Sequence, residues 1–171
     1  MTTAPDPAWL LAARAKLGTR EIPGRTHNNA LISFLNTAAR WNGVRWVDDE
    51  MAWCGGFVAA CLVQAGVEPV KLAARAKSWA TWGWLLRADR LAPGAIMVFG
   101  RGGGGHVGFY VGRDATHYHI LGGNQGDAVS VTRIARNRLV EGGSRWPKGL
   151  PVTGRPITMA ANSAPEFGND A

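Results

Sequence analysis

The sequence predicts an α+β domain in which helices come first and an antiparallel sheet follows. Two observations carry that prediction. Apolar residues recur at helical spacing in the first half of the 171 residues, and from Leu91 onward they give way to short apolar runs separated by turn residues. The composition, 46% hydrophobic and 18% charged, suits a single globular core.

Each element has its own signal. PAWLLAARAKLG (7–18) opens on Pro7 and closes on Gly18, as a helix does. TREIPGRTHNN (19–29) is a loop by its Pro, Gly and Asn content, and ALISFLNTAARW (30–41) is a second amphipathic helix. NGVRWVDDEMAW (42–53) is irregular, with room for a short strand. CGGFVAACLVQAG (54–66) is almost wholly apolar and reads as a central buried helix, and a short helix follows near 76–84.

Four strands are then expected. One follows the turn in LAPGAIMVFG; the others are HVGFYVG (106–112), THYHILGG (116–123) and AVSVTRI (128–134), with RGGGG (101–105) breaking the first pair. No internal repeat is visible. The tail MAANSAPEFGNDA lacks a hydrophobic period, so the domain is expected over residues 1–155, with 156–171 extended or disordered.

The net charge of +7 concerns partners, not fold. The nineteen Lys and Arg form no basic run, which argues against nucleic acid and for a general attraction to a polyanionic surface. Eight tryptophans against two tyrosines point to a Trp-rich core before stacking surfaces. The N-terminal stretch lacks a basic region followed by an apolar run, and no segment approaches the ~20 apolar residues of a bilayer span. The chain is therefore expected to be made in a cytoplasm and to need another route for any action outside.

The chemistry turns on Cys54. A disulfide with Cys61, seven residues on, is excluded within one helix: the rise is about 10.5 Å, and a disulfide spans at most roughly 6.8 Å between Cα atoms. Cys61 lies inside FVAACLV and reads as core. Cys54 sits at the first helical turn, where free N–H groups and the positive dipole end favour a thiolate. Gly55 and Gly56 are read as clearing the approach to its sulfur.

A thiol nucleophile needs a base. Of the four histidines, His106 is favoured, because a strand start beside a glycine-rich loop is open to a helix N-terminus. With RDAT (113–116) as the turn, Gly112 faces His117, Tyr110 faces His119 and His106 faces Gly123. His119 is then roughly 13 Å from His106 along the strand, too far to orient it. The polar groups near His106 are Asn124 and Gln125. Parity favours Gln125, and a bulge at 122–123 would substitute Asn124. Either amide is expected to accept Nδ1–H, leaving Nε2 to take the thiol proton.

Zinc bound by His117, His119 and Cys54 or His106 is the rival reading, but no motif at ligand spacing supports a metal. His117 and His119 are expected on a solvated hairpin. Asp48, Asp49 and Glu50 are expected in a solvated loop, the alternative being a reader of substrate amines. Trp53 is a candidate cleft wall, while Trp79 and Trp82 read as core.

WLLAARAKLGTREIPGRTHNNALISFL, MAWCGGFVAACLVQAG, SWATWG, GAIMVFG, GGHVGFYVG, ILGGNQGDAV and SRWP, in that order over residues 8–147, resemble the NlpC/P60 and CHAP group of cell-wall peptidases, most closely its phage endolysin-like branch. The resemblance implies a papain-like single domain, with N-terminal helices packed on a C-terminal antiparallel sheet. It implies Cys54 as nucleophile, His106 as base, and Asn124 or Gln125 as the third polar group. Many relatives carry Glu or His where this chain has Gly122-Gly123.

The expected activity is cleavage of an amide bond in peptidoglycan, by endopeptidase or N-acetylmuramoyl-L-alanine amidase action. The expected setting is a monomeric phage endolysin released through a holin-type route and drawn to an anionic envelope, with no cofactor implied. A delivered antibacterial amidase effector and a non-catalytic wall-binding or virion module are the alternatives.

Overall fold

The computed structural model describes residues 4–168. The helices are α1 (Ala8–Arg14), α2 (Asn29–Asn36), α3 (Ala39–Asn42) and α4 (Cys54–Gln64). The strands are β1 (Trp84–Leu85), β2 (Ile96–Arg101), β3 (Gly104–Arg113), β4 (His117–Gly122), β5 (Ser130–Ala135) and β6 (Leu139–Trp146). They form one six-stranded sheet in the order β1-β6-β2-β3-β4-β5, every neighbouring pair antiparallel. The chain is thus α+β, as its hydrophobic periods predict.

Local chemistry sets where each helix stops. Asn28 starts α2 by accepting the Leu31 N–H at 3.1 Å. The helix expected over 30–41 divides because Thr37 Oγ1 donates to Phe34 O at 2.7 Å, and Ala38 leaves helical geometry (φ −101°, ψ 17°). Helix α4 ends at a left-handed Gly66 (φ 73°). There Val67 N–H reaches Leu62 O and Gly66 N–H reaches Val63 O, a Schellman closure. The segment near 76–84 is a 3-10 helix, Ala76–Thr81. Residues 42–53 contain no strand.

Helix α4 is the centre of the molecule. Residues from Cys54 to Leu62 are all buried, and α1, α2 and α3 pack around it while β3 and β4 lie against it. Five tryptophans (Trp9, Trp46, Trp53, Trp79, Trp146) are buried, so the aromatic excess is mainly core.

The sheet differs from expectation in three places. Strands β1 and β6 were not legible: β1 is two residues long, and Gly142-Gly143 interrupts the alternation of β6. The RGGGG run does not break the first hairpin, since only residues 102–103 lie outside β2 and β3. The β3–β4 register also shifts. Tyr110 faces Ile120, and a bulge at Val111 brings Gly112 opposite His119, so His119 does not face Tyr110.

After β6 the chain runs through turns and a short 3-10 helix (Ala161–Ser163) and returns to the sheet at two points. Arg113 and Thr158 pair in one parallel bridge, Arg133 and Glu166 in another. Phe167 N–H donates to Arg133 O, and Arg133 N–H to Pro165 O, both at 2.8 Å.

Candidate active site

Cys54 is the first residue of α4, where the helix has no carbonyl partner for its leading N–H groups. Gly55 and Gly56 do not clear a path to the sulfur. A Cβ on Gly55 would stand 2.2 Å from Ala73 O, and one on Gly56 2.4 Å from the Trp46 ring. The two glycines let the helix start press against the 73–74 backbone and Trp46, which fixes where the thiol lies.

The N–H of Val107, the residue after His106, stands close enough to the Cys54 thiol to favour its charged form. Strand β3 thus delivers His106 beside the start of α4. His106 is not at an open edge: β3 is an interior strand, and the imidazole is fully buried. Burial pushes the Cys54 thiol up and the imidazole down to about 4, so both groups are uncharged at rest.

Gln125 fixes the state of that imidazole. Its Nε2 donates to Ile120 O at 3.1 Å and Ser130 O at 2.7 Å, both acceptors only. The amide orientation is therefore set, and Oε1 faces His106 Nε2 at 2.9 Å. An amide oxygen only accepts, so Nε2 carries the proton and Nδ1 carries the lone pair. His106 Nδ1 is buried with no hydrogen-bond partner. The roles of the two ring nitrogens are the reverse of the sequence expectation, because Gln125 approaches from the Nε2 side.

Asn124 does something else. Its backbone is left-handed (φ 59°), and its Oδ1 accepts the Trp53 N–H at 3.1 Å. Its Nδ2 donates to Glu21 Oε1 at 3.2 Å, and the same carboxylate oxygen accepts Trp53 Nε1–H at 2.6 Å. Trp53 is wholly buried; its ring lies over Gly123, where a Cβ would come within 2.4 Å, and against Phe57. Trp53 is therefore a core residue ahead of Cys54 and not a cleft wall. Glu21 had no signal in the sequence beyond sitting in a polar loop.

The other candidates lie elsewhere. Asp49 is buried, not solvated: it accepts the N–H groups of Ile22 and Asn28 at 2.8 and 2.7 Å and lies 3.1 Å from His27 Nδ1, pinning the 19–29 loop. Those hydrogen bonds hold its carboxyl below the usual range, although burial opposes them.

His117 and His119 are likewise not on a solvated hairpin. His119 is buried, with Nε2 2.8 Å from Asp114 Oδ2, and Arg133 Nε donates to the same oxygen at 2.8 Å. The Arg133 guanidinium is the main reason that the Asp114 carboxyl lies well below the carboxylate range. Among the described residues no group of three or more His, Cys, Asp or Glu could hold a metal. No helix among them is long and apolar enough to cross a membrane.

Three further residues surround His106 that the sequence did not single out. Phe167 packs on the imidazole with ring centroids 5.0 Å apart. The Arg101 guanidinium lies 5.5 Å over the Phe167 ring, and Arg138 Nη1 donates to Phe167 O at 2.8 Å. A single aromatic in the tail was the one available hint.

No curated protein matches the chain. Residues 46–124, just under half of the chain, hold Cys54, His106 and Asn124 and match the family model described as CHAP domain, a family of the NlpC/P60-like cysteine peptidase/amidase superfamily whose activity is peptidoglycan hydrolysis of amidase or peptidase type.

Proposed function

We propose that Cys54, His106 and Gln125 form a nucleophile, base and orienting group that hydrolyse an amide bond in peptidoglycan. The observation that supports this most directly is the unpartnered Nδ1 of a ring whose Nε2–H is held by Gln125. On substrate binding, Nδ1 takes the Cys54 proton and the thiolate sulfur bonds to the scissile carbonyl carbon. Free N–H groups at the start of α4 stabilise the oxyanion. The C–N bond then breaks, the amine leaves with the proton from Nδ1, and water hydrolyses the thioester to a carboxylate and the regenerated thiol.

The burial of both groups agrees with a pair that is neutral before substrate arrives and charged only transiently. A neutral imidazole can still act as base, because a buried thiolate–imidazolium pair is stabilised by its own attraction once formed.

The setting we infer is a monomeric phage endolysin, reaching the wall by holin-type release. The charge of +7 supports attraction to an anionic envelope. A holin gene adjacent to the coding sequence would accord with this setting; an adjacent immunity gene would point to a delivered effector.

The decisive experiment incubates purified sacculi with wild type and Cys54→Ala and follows new amino groups against new reducing sugars. Amines released by wild type alone carry the proposal, and mass analysis of the fragments distinguishes amidase from endopeptidase. No amines from either protein, across several wall chemistries, would leave a non-catalytic wall-binding module.

A further inference from the structure

The catalytic pair is covered. Cys54 is 7% exposed and His106 0%, and Phe167, itself 5% exposed, lies on the imidazole. What covers the imidazole is the segment around Phe167, held by backbone bonds to Arg133 and by the Arg138 bond to Phe167 O.

The surroundings of Phe167 are unusual for a core contact. Arg101 and Arg138 stand close enough for each to disfavour a charge on His106, and Arg101 acts on Arg138 in the same way. Among the described residues neither forms an ion pair; Glu166 favours the Arg138 charge from a distance, and its carboxylate lies 3.4 Å from His117 Nε2. Arg138 donates Nε to Gly100 O at 3.2 Å and Nη1 to Phe167 O, while Nη2 is buried with no partner. Two guanidiniums that no described carboxylate pairs with, one of them with an unused buried N–H group, are costly unless an anion sometimes completes them.

We propose that Arg101 and Arg138 form a carboxylate-binding subsite beside Cys54 and His106, which the C-terminal segment occupies as a latch through Phe167. The Phe167 carbonyl takes the guanidinium hydrogen bond that a substrate carboxylate takes when the segment is displaced. The ligand is a peptide with a free carboxylate near its scissile amide, which the acidic stem peptides of peptidoglycan provide. That choice of ligand rests on the hydrolase reading; the latch does not.

The latch is tested by the rate at which iodoacetamide alkylates Cys54, read by mass on the peptide that contains it. Full-length protein is compared with Phe167→Ala and with a chain ending at Ala164. Freeing a site that is closed most of the time accelerates alkylation about tenfold or more in both. The subsite is tested by binding of a carboxylate-bearing stem peptide to Cys54→Ala/Phe167→Ala, with and without Arg138→Gln. Arg138→Gln weakens that binding about tenfold and leaves binding of the amidated peptide unchanged.

Unchanged alkylation in both variants overturns the latch. Faster alkylation accompanied by slower turnover also overturns it, because Phe167 then supports the imidazole. Equal loss of both peptides overturns the subsite. Faster alkylation and carboxylate-dependent binding, with no turnover by any form, would sustain the inference while removing the hydrolase reading.

Discussion

Gln125 holds His106 by one nitrogen and leaves the other free: Oε1 is 2.9 Å from Nε2, and the amide cannot rotate because its own N–H groups are spent on Ile120 and Ser130. This fixes a tautomer with a hydrogen-bond acceptor and no carboxylate. Gln125→Ala removes the tether and is expected to lower kcat about tenfold to a hundredfold with little change in KM, measured on soluble muropeptides. Gln125→Glu faces Nε2 with a negative charge. It raises the imidazole pKa from its value near 4, and the acid limb of the kcat/KM profile moves to higher pH.

Stability against pH follows from the same ring. The free imidazole titrates at 6.5 and the folded one at about 4, so the unfolded chain binds the extra proton between those values. Stability is full above 6.5 and falls as pH drops toward 4, by about 3 kcal/mol in all. Urea midpoints at pH 7.5 and 4.5 should differ accordingly, and His106→Gln should flatten the difference. Asp114 adds a separate loss below its unfolded value of 3.8, because its folded pKa is depressed.

The helix start offers a test against propensity. Alanine is favoured over glycine within a helix by about 1 kcal/mol, yet a Cβ at Gly55 meets a carbonyl oxygen at 2.2 Å. Gly55→Ala is expected to destabilise by about 2 kcal/mol or more, read by thermal melting, and to lower activity by displacing Cys54. A stabilised variant would show that the 73–74 backbone yields freely.

Asn124 separates conformation from contact. Asn124→Gly keeps the left-handed backbone and loses the bond to Trp53 N–H, costing about 1–3 kcal/mol for the donor left unpaired. Asn124→Ala loses the same bond and adds about 1 kcal/mol of strain at φ 59°. Equilibrium denaturation should rank wild type, then Gly, then Ala; equal values for the two variants would show that the backbone there relaxes.

The parts of this molecule set by nearest neighbours were legible, and those set by tertiary contact were not. The buried helix from Cys54 and strands β2 to β5 follow from local period, and the neighbourhood of His106 followed from strand parity. Which amide reaches the ring depended on a bulge and on a loop with left-handed Asn124 and Asp127, neither of which has a period. The burial of Asp49 and His119 was missed because a charged run reads as solvated until its partners, Ile22, Asn28 and Arg133, are brought to it by the fold. Phe167 reaches His106 across sixty-one positions, 106 to 167, which no window of sequence spans.

The parallel bridges between the tail and β5 have a second effect. An open sheet exposes two rows of unpaired backbone groups, and such rows recruit other chains into cross-strand pairing. Here one border is β1, only two residues long, and the other is β5, whose Arg133 N–H and C=O are engaged by Pro165 and Phe167. Removing the tail would uncover that border as well as the thiol. A shortened chain is therefore expected to self-associate as its concentration rises, whereas Phe167→Ala, which keeps the backbone seam, should remain dispersed.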